Sequence, residues 1–209
     1  RDFDKHVLRT KDRPVTSGRV APWEALLVAG VLSIVSFLLI WPLNTYTKLL
    51  SVPALGVAIL YPFTKRFFSI PQAILGIAFS FGIPMSFAAV QGSIPPLAWI
   101  LVLANIAWAI AYDTAYAMVD REDDLRIGIQ TSAITFGSYD ILMMMGCYAI
   151  LLLSFAWVGV SYRMGVFFWL FYVFGVGLAV YYYRLVKDRT REGCFQAFRK
   201  NNWMGACLF

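Results

Sequence analysis

Asp113, Tyr116, Asp120 and Asp124 stand at the end of one apolar segment, three, four and four residues apart. That interval stacks side chains on one face of a helix. Carboxylates stacked in this way repel one another unless a cation lies between them, and Asp113 falls within an apolar run, where a charge needs a partner or water. Oxygen ligands without accompanying His or Cys suit a hard divalent cation such as Mg²⁺, which keeps waters and takes its remaining ligands from phosphate. A second acidic group, Asp2 and Asp4, is followed by His6, Arg9, Lys11 and Arg13. Two acidic groups with several cations describe a site where metal and basic side chains neutralise a departing diphosphate. The column also reads as a solvated helix end whose acids pair with Arg121 and Arg126. His6, the only histidine, reads as a general base or as a solvated loop residue.

The elements that must position these residues are membrane helices. The 209 residues are 60% hydrophobic and 14% charged, against about a quarter charged in soluble domains. A spanning helix needs about 20 largely apolar residues. The chain has room for six and part of a seventh, over 21–41, 49–62, 70–90, 97–119, 139–160 and 165–186, with the last beginning near Trp203. Gly76, Gly82 and Pro84 interrupt the third. The predicted fold class is therefore all-α, a polytopic transmembrane helical bundle forming a single domain over 1–209.

Charge sets the orientation. Loops 1–20, 61–70, 119–130 and 184–200 hold sixteen of the eighteen basic residues, and the opposite loops hold only Lys48 and Arg163. Short loops rich in Lys and Arg stay in the cytoplasm. Both acidic groups, Tyr61 and Lys65 are thus expected on the cytoplasmic face of the membrane. The net charge of +6 follows from topology and not from nucleic-acid binding, since no soluble domain carries a basic face. Cys147, Cys194 and Cys207 have no metal-like spacing and read as packing residues. The aromatic side chains read as interface and packing material, some of them lining a cavity that shields a cation. Asn105 and Ser80 either face such a cavity or hydrogen-bond between helices.

Three strings carry a resemblance. Arg1-Asp-Phe-Asp-Lys-His-Val-Leu-Arg-Thr-Lys-Asp-Arg-Pro-Val-Thr-Ser-Gly18 resembles the tail of the first Asp-rich motif of the UbiA family of membrane prenyltransferases. Ala111-Tyr-Asp-Thr-Ala-Tyr-Ala-Met-Val-Asp-Arg-Glu-Asp-Asp124, continuing to Ala133, resembles the second, and Tyr61-Pro-Phe-Thr-Lys65 matches the family's Tyr-X-X-X-Lys element. The resemblance covers essentially the whole chain. It implies helices three to eight of a nine-helix bundle with the start of the ninth, in an N-terminally truncated fragment. Only the last Asp of the first motif, matching Asp4, is present; its upstream Asn and Asp precede Arg1. A polypeptide beginning at Arg1 is expected to be inactive by itself.

Carried over by residue, the resemblance implies Mg²⁺ held by Asp120 and Asp124, with Asp4 and Asp123 contributing and Asp113 supporting. Tyr61, Lys65, Arg9 and Arg13 would contact diphosphate, and Arg66 is a candidate for a substrate carboxylate. The implied reaction is transfer of a polyprenyl group from polyprenyl diphosphate to the carbon ortho to the hydroxyl of 4-hydroxybenzoate, in ubiquinone biosynthesis. No covalent enzyme intermediate is needed. A haem O, chlorophyll or menaquinone branch of the family is the alternative, as is a polytopic transporter using Asp113 and Asn105. The residues do not specify chain length or oligomeric state.

Overall fold

A computed structural model describes residues 12–208, which form helices and their connecting turns, with no strand among them. Asp2, Asp4, His6 and Arg9 lie outside the described residues. The chain begins its first span with α1 (Pro22–Ile40). Pro22 occupies the first helical turn, where its missing N–H costs no hydrogen bond, and the Glu24 carboxylate accepts the Ala21 N–H at 2.7 Å. Helix α2 (Thr45–Thr64) starts earlier than the apolar pattern alone suggests. Asn44 accounts for the early start, since its side chain accepts the Thr47 N–H at 2.9 Å and caps the helix. The turn expected over 44–48 is therefore helical from Thr45.

The third span is two short helices, α3 (Pro71–Ser80) and α4 (Gly82–Gln91), separated at Phe81. Pro84 cannot donate to the carbonyl four residues back, and Gly82 lowers helix preference beside it. Helix α5 (Pro96–Ile127) has 32 residues. At 1.5 Å per residue it is about 48 Å long, well beyond the roughly 30 Å of hydrocarbon in a bilayer. The surplus carries Asp120 to Asp124 out of the lipid as helix. The segment expected as loop 119–130 is thus helical through Ile127. The helix ends where Gly128 takes φ +72 and its N–H returns to the Asp124 carbonyl.

A short α6 (Ser132–Phe136) and one 3₁₀ turn lead into α7 (Asp140–Ser161), which is followed by α8 (Val166–Val186). The basic stretch expected as loop 184–200 is mostly α9 (Arg191–Lys200), and α10 (Asn202–Leu208) continues almost directly from it. Thr190 makes this possible by accepting the Gly193 N–H and capping α9.

Helix α5 is the hub, packed against α3, α7 and α9. Its buried positions are mostly alanine, from Ala98 to Ala117. Small residues let membrane helices approach closely without a hydrophobic driving force between them. Gly76 of α3 shows how closely: an added Cβ would lie 3.0 Å from the Ile106 Cα. Long apolar side chains point the other way. No residue of α1 is buried, and Leu26, Leu32 and Leu39 are open to the surroundings, as expected where lipid is the solvent. Among the described residues six helical segments, α3 and α4 together counting as one, are long and apolar enough to cross a membrane, and the protein is a multi-pass membrane protein.

Candidate active site

Hydrogen bonds draw the connecting loops together at one end of the bundle. The Gln130 N–H donates to the Lys65 carbonyl at 3.0 Å, and the Ser132 N–H donates to Gln72 Oε1 at 2.9 Å. The Thr135 hydroxyl donates to the Ser69 carbonyl, while the Thr114 and Ser132 hydroxyls meet at 2.7 Å. These bonds tie the turn after α2, which carries Lys65 and Arg66, to the acidic end of α5. They place Tyr61 and Lys65 beside the second Asp-rich segment, although more than fifty residues separate them in sequence.

On α5 the predicted column exists. Asp113, Asp120 and Asp124 are 9%, 7% and 9% exposed, so all three are buried at the end of the bundle where the loops meet. Tyr61 on α2 lies within electrostatic reach of Asp113, Tyr112 and Tyr116. Arg13, from the segment before α1, donates to the Tyr116 hydroxyl at 3.4 Å. Two separate parts of the chain therefore converge on one face of α5. Arg66 is exposed, with its guanidinium 5.9 Å from the Phe63 ring centre.

Asp123 does something different from its neighbours. It stands about 60° around the helix from Asp120, and its Oδ2 accepts a hydrogen bond from Arg191 Nη2 at 2.8 Å. Arg126 approaches its other oxygen at 4.0 Å. The carboxylate expected as a metal ligand thus clamps the start of α9 against α5. Arg191 completes the clamp by donating from Nε to the Val119 carbonyl at 2.8 Å.

Deeper along the same side of α5 the site becomes aromatic. The Trp108 and Tyr112 rings are 5.7 Å apart, and Phe198 of α9 lies 4.4 Å from Tyr116 and 6.2 Å from Tyr112. A cavity of about 250 Å³ opens there, bounded by Phe79, Asn105, Trp108, Tyr112, Phe198 and Asn202. Asn105 both borders this cavity and donates to Ser80 Oγ at 2.9 Å, so the two readings of that pair hold together. The arrangement is a polar end with buried carboxylates above an apolar, ring-lined space.

Among the described residues the donor set fits a hard divalent cation in kind, being carboxylate oxygen alone, buried and unaccompanied by sulfur or imidazole. In number it is incomplete. Among the described residues no group of three or more His, Cys, Asp or Glu side chains converges as a metal cage. Magnesium ordinarily uses one or two carboxylates together with substrate phosphates, and seldom an all-protein cage.

A six-span helical bundle with buried acids, a lysine, an arginine and tyrosines gathered at one end defines a polytopic membrane protein with a polar site at the membrane face. A family model described as the UbiA prenyltransferase family matches residues 1–205. The chain belongs to that family of prenyltransferases. It is 60% identical to a 4-hydroxybenzoate octaprenyltransferase of Burkholderia vietnamiensis, covering all of this chain and 72% of the relative. A protein of the same description from Cupriavidus necator is 59% identical, with 73% of its length covered. A UbiA homologue from Aeropyrum pernix superposes with a TM-score of 0.83 at 23% identity, covering 99% of this chain and 79% of the other. At that identity the superposition speaks for the fold.

Sequence reasoning passed over Asp140, Arg189, Phe198 and Asn201. Asp140 is fully buried, and Arg189 pairs with it at 2.7 Å. Asn201 is buried at the junction of α9 and α10, where its Oδ1 accepts from the Tyr148 hydroxyl at 2.8 Å. One signal was available: an acid at the first position of an apolar span, as at Asp140, is expensive unless paired.

Proposed function

We propose that the chain transfers a polyprenyl group from polyprenyl diphosphate to the ring carbon ortho to the hydroxyl of 4-hydroxybenzoate, releasing diphosphate, in ubiquinone biosynthesis. The observation that carries this reading is the 60% identity, over every residue of this chain, to a protein described as a 4-hydroxybenzoate octaprenyltransferase. The site chemistry is consistent with it. An amphipathic substrate pair, with a bilayer-soluble tail and aqueous anionic groups, suits a polar membrane face above an apolar cavity.

Asp120 and Asp124 would hold Mg²⁺, with Asp4 from the preceding segment, and the metal when bound would offset charge on the departing diphosphate. Lys65, Arg13 and Arg9 would bind the same anion, with Tyr61 as a hydrogen-bond donor. Asp113 would keep these cations aligned from below. As the carbon–oxygen bond of the prenyl diphosphate breaks, positive charge develops on the allylic carbon. The faces of Tyr112, Tyr116 and Phe198 would stabilise that charge and keep water away. The ring carbon of the acceptor then supplies the electron pair for the new carbon–carbon bond, and loss of its proton restores aromaticity. Arg66 would meet the acceptor carboxylate at the site's edge. The site would face the cytoplasm from a bacterial inner membrane, a reading supported by the basic residues concentrated in the loops on that side.

The test is an assay of membranes holding the intact gene product, supplied with polyprenyl diphosphate and 4-hydroxybenzoate, with and without EDTA. Prenylated 4-hydroxybenzoate that disappears with EDTA and returns with Mg²⁺ is the expected result. Transfer only to a different acceptor would overturn the acceptor assignment, and undiminished transfer in EDTA would overturn the metal.

A further inference from the structure

On the far side of α5, turned away from the carboxylate column, lies a second polar cavity of about 280 Å³. Its walls carry Arg121, Arg189 and Arg191 together with Glu122 and Asp140. None of these three arginines is assigned to prenyl transfer.

The three guanidiniums are held in place from beneath. Asp140 has no exposed surface, and its carboxylate accepts from Arg189 Nη2 at 2.7 Å, Arg189 Nε at 3.1 Å and Arg121 Nη1 at 3.3 Å. Its Oδ1 also accepts the Ile141 N–H at 2.7 Å. Arg189 adopts φ +51, a left-handed conformation that is strained for a non-glycine residue. Two contacts hold it there, the Asp140 pair and a 2.9 Å bond from Nη2 to the Ser138 carbonyl. Strain of this kind is found at ligand clamps as well as turns. Arg191 is fixed in turn by Asp123 and the Val119 carbonyl.

A guanidinium has five N–H donors in a rigid fork. Anchoring uses one edge of each, and among the described residues the Nη1 groups of Arg189 and Arg191 make no hydrogen bond. The side chains of Arg121, Arg189 and Arg191 remain 32%, 42% and 48% exposed. The adjoining stretch 184–200 has six basic residues against two acidic ones, so the cavity opens into a positive field. It also sits at the helix ends, at the level of lipid head groups. Basic pockets between transmembrane helices at this level recognise anionic head groups, and the arginine fork matches phosphate oxygens.

We infer that this cavity binds a phosphate group, carried by an anionic phospholipid head group or by a soluble phosphate. Arg121, Arg189 and Arg191 supply the donors, and Glu122 at the wall opposes the anion.

The experiment follows the thermal unfolding midpoint of the full-length protein in neutral detergent. One arm titrates phosphatidylglycerol, with phosphatidylcholine as the uncharged control, and the other titrates inorganic phosphate. A saturable rise in midpoint is expected in at least one arm. A response to phosphatidylglycerol alone assigns a lipid, and a response to inorganic phosphate assigns a soluble anion. Apparent affinity should fall about tenfold in Arg121→Gln, rise severalfold in Glu122→Gln, and stay unchanged in Lys187→Gln, which removes the same charge outside the cavity. Glu122→Gln leaves the Asp140 cluster whole, so it reports even if Arg121→Gln fails to fold. No response in either arm overturns the inference, as does equal weakening by Arg121→Gln and Lys187→Gln.

Discussion

The ring of Phe198 lies 4.4 Å from that of Tyr116, tilted by 36°, and brings α9 against the same face of α5 that carries Asp120 and Asp124. Two residues 82 positions apart thereby form one wall between the buried carboxylates and the aromatic cavity. Tyr116 is also the residue that Arg13 reaches from the segment before α1. The contact joins the start, the middle and the end of the described chain at one place.

Replacing Phe198 with Ala removes that wall. A cation–π contribution at a desolvated site is worth about 2 kcal/mol, a factor of roughly thirty in rate. Turnover in Phe198→Ala membranes should therefore fall by roughly thirtyfold. Phe198→Leu, which keeps apolar bulk but no aromatic face, should remain impaired. Full recovery in the leucine variant would show that only packing matters.

Asp124 and Asp123 are neighbours with different work. On the proposed assignment Asp124→Asn should cost on the order of 10²-fold or more in turnover and raise the Mg²⁺ concentration needed for half-maximal rate, because it removes a carboxylate that would hold the metal. Asp123→Asn should leave the Mg²⁺ dependence unchanged and lower the unfolding midpoint, because its partner is Arg191. A shifted Mg²⁺ requirement in Asp123→Asn would return that residue to the metal.

Gly193 sits two residues past the clamp formed by Arg191. A Cβ there would run into the Leu185 carbonyl oxygen and stand 2.8 Å from Thr190 Oγ1, the atom that caps α9. Backbone cannot yield as a side-chain tip can, so Gly193→Ala should destabilise by about 1–3 kcal/mol. Thermal unfolding in detergent measures it, and an unchanged midpoint would show that the α8–α9 turn relaxes freely.

Cys194 is fully buried on α9. Burial, and after it the Asp140 carboxylate, pushes its thiol up to about 11. Only the thiolate alkylates, and a raised value means that almost none is present at pH 8. Maleimide or iodoacetamide should therefore leave Cys194 unmodified in the folded protein near neutral pH, with labelling rising toward pH 11 or on denaturation. Rapid modification at pH 8 would show that α9 opens.

The sequence alone determined that the chain lives in a membrane, how many times it crosses, and where its carboxylates stack. These are properties of local periodicity and composition: a run of about twenty apolar residues, and acids at three- and four-residue intervals, mean the same thing in any tertiary setting. The limits of the helices followed less well. Asn44 and Thr190 extend helices by capping them, and the acidic and basic stretches of α5 and α9, polar enough to read as loop, stay helical beyond the lipid.

Only the tertiary structure decided which acid is taken up by an ion pair with α9. Asp120, Asp123 and Asp124 are equivalent as letters, yet the docking of α9 places Arg191 against Asp123. The same docking supplies Phe198 and buries Asp140 beneath Arg189. Pairings between residues fifty or more positions apart leave no local pattern, because they depend on how closely alanine- and glycine-lined helices approach.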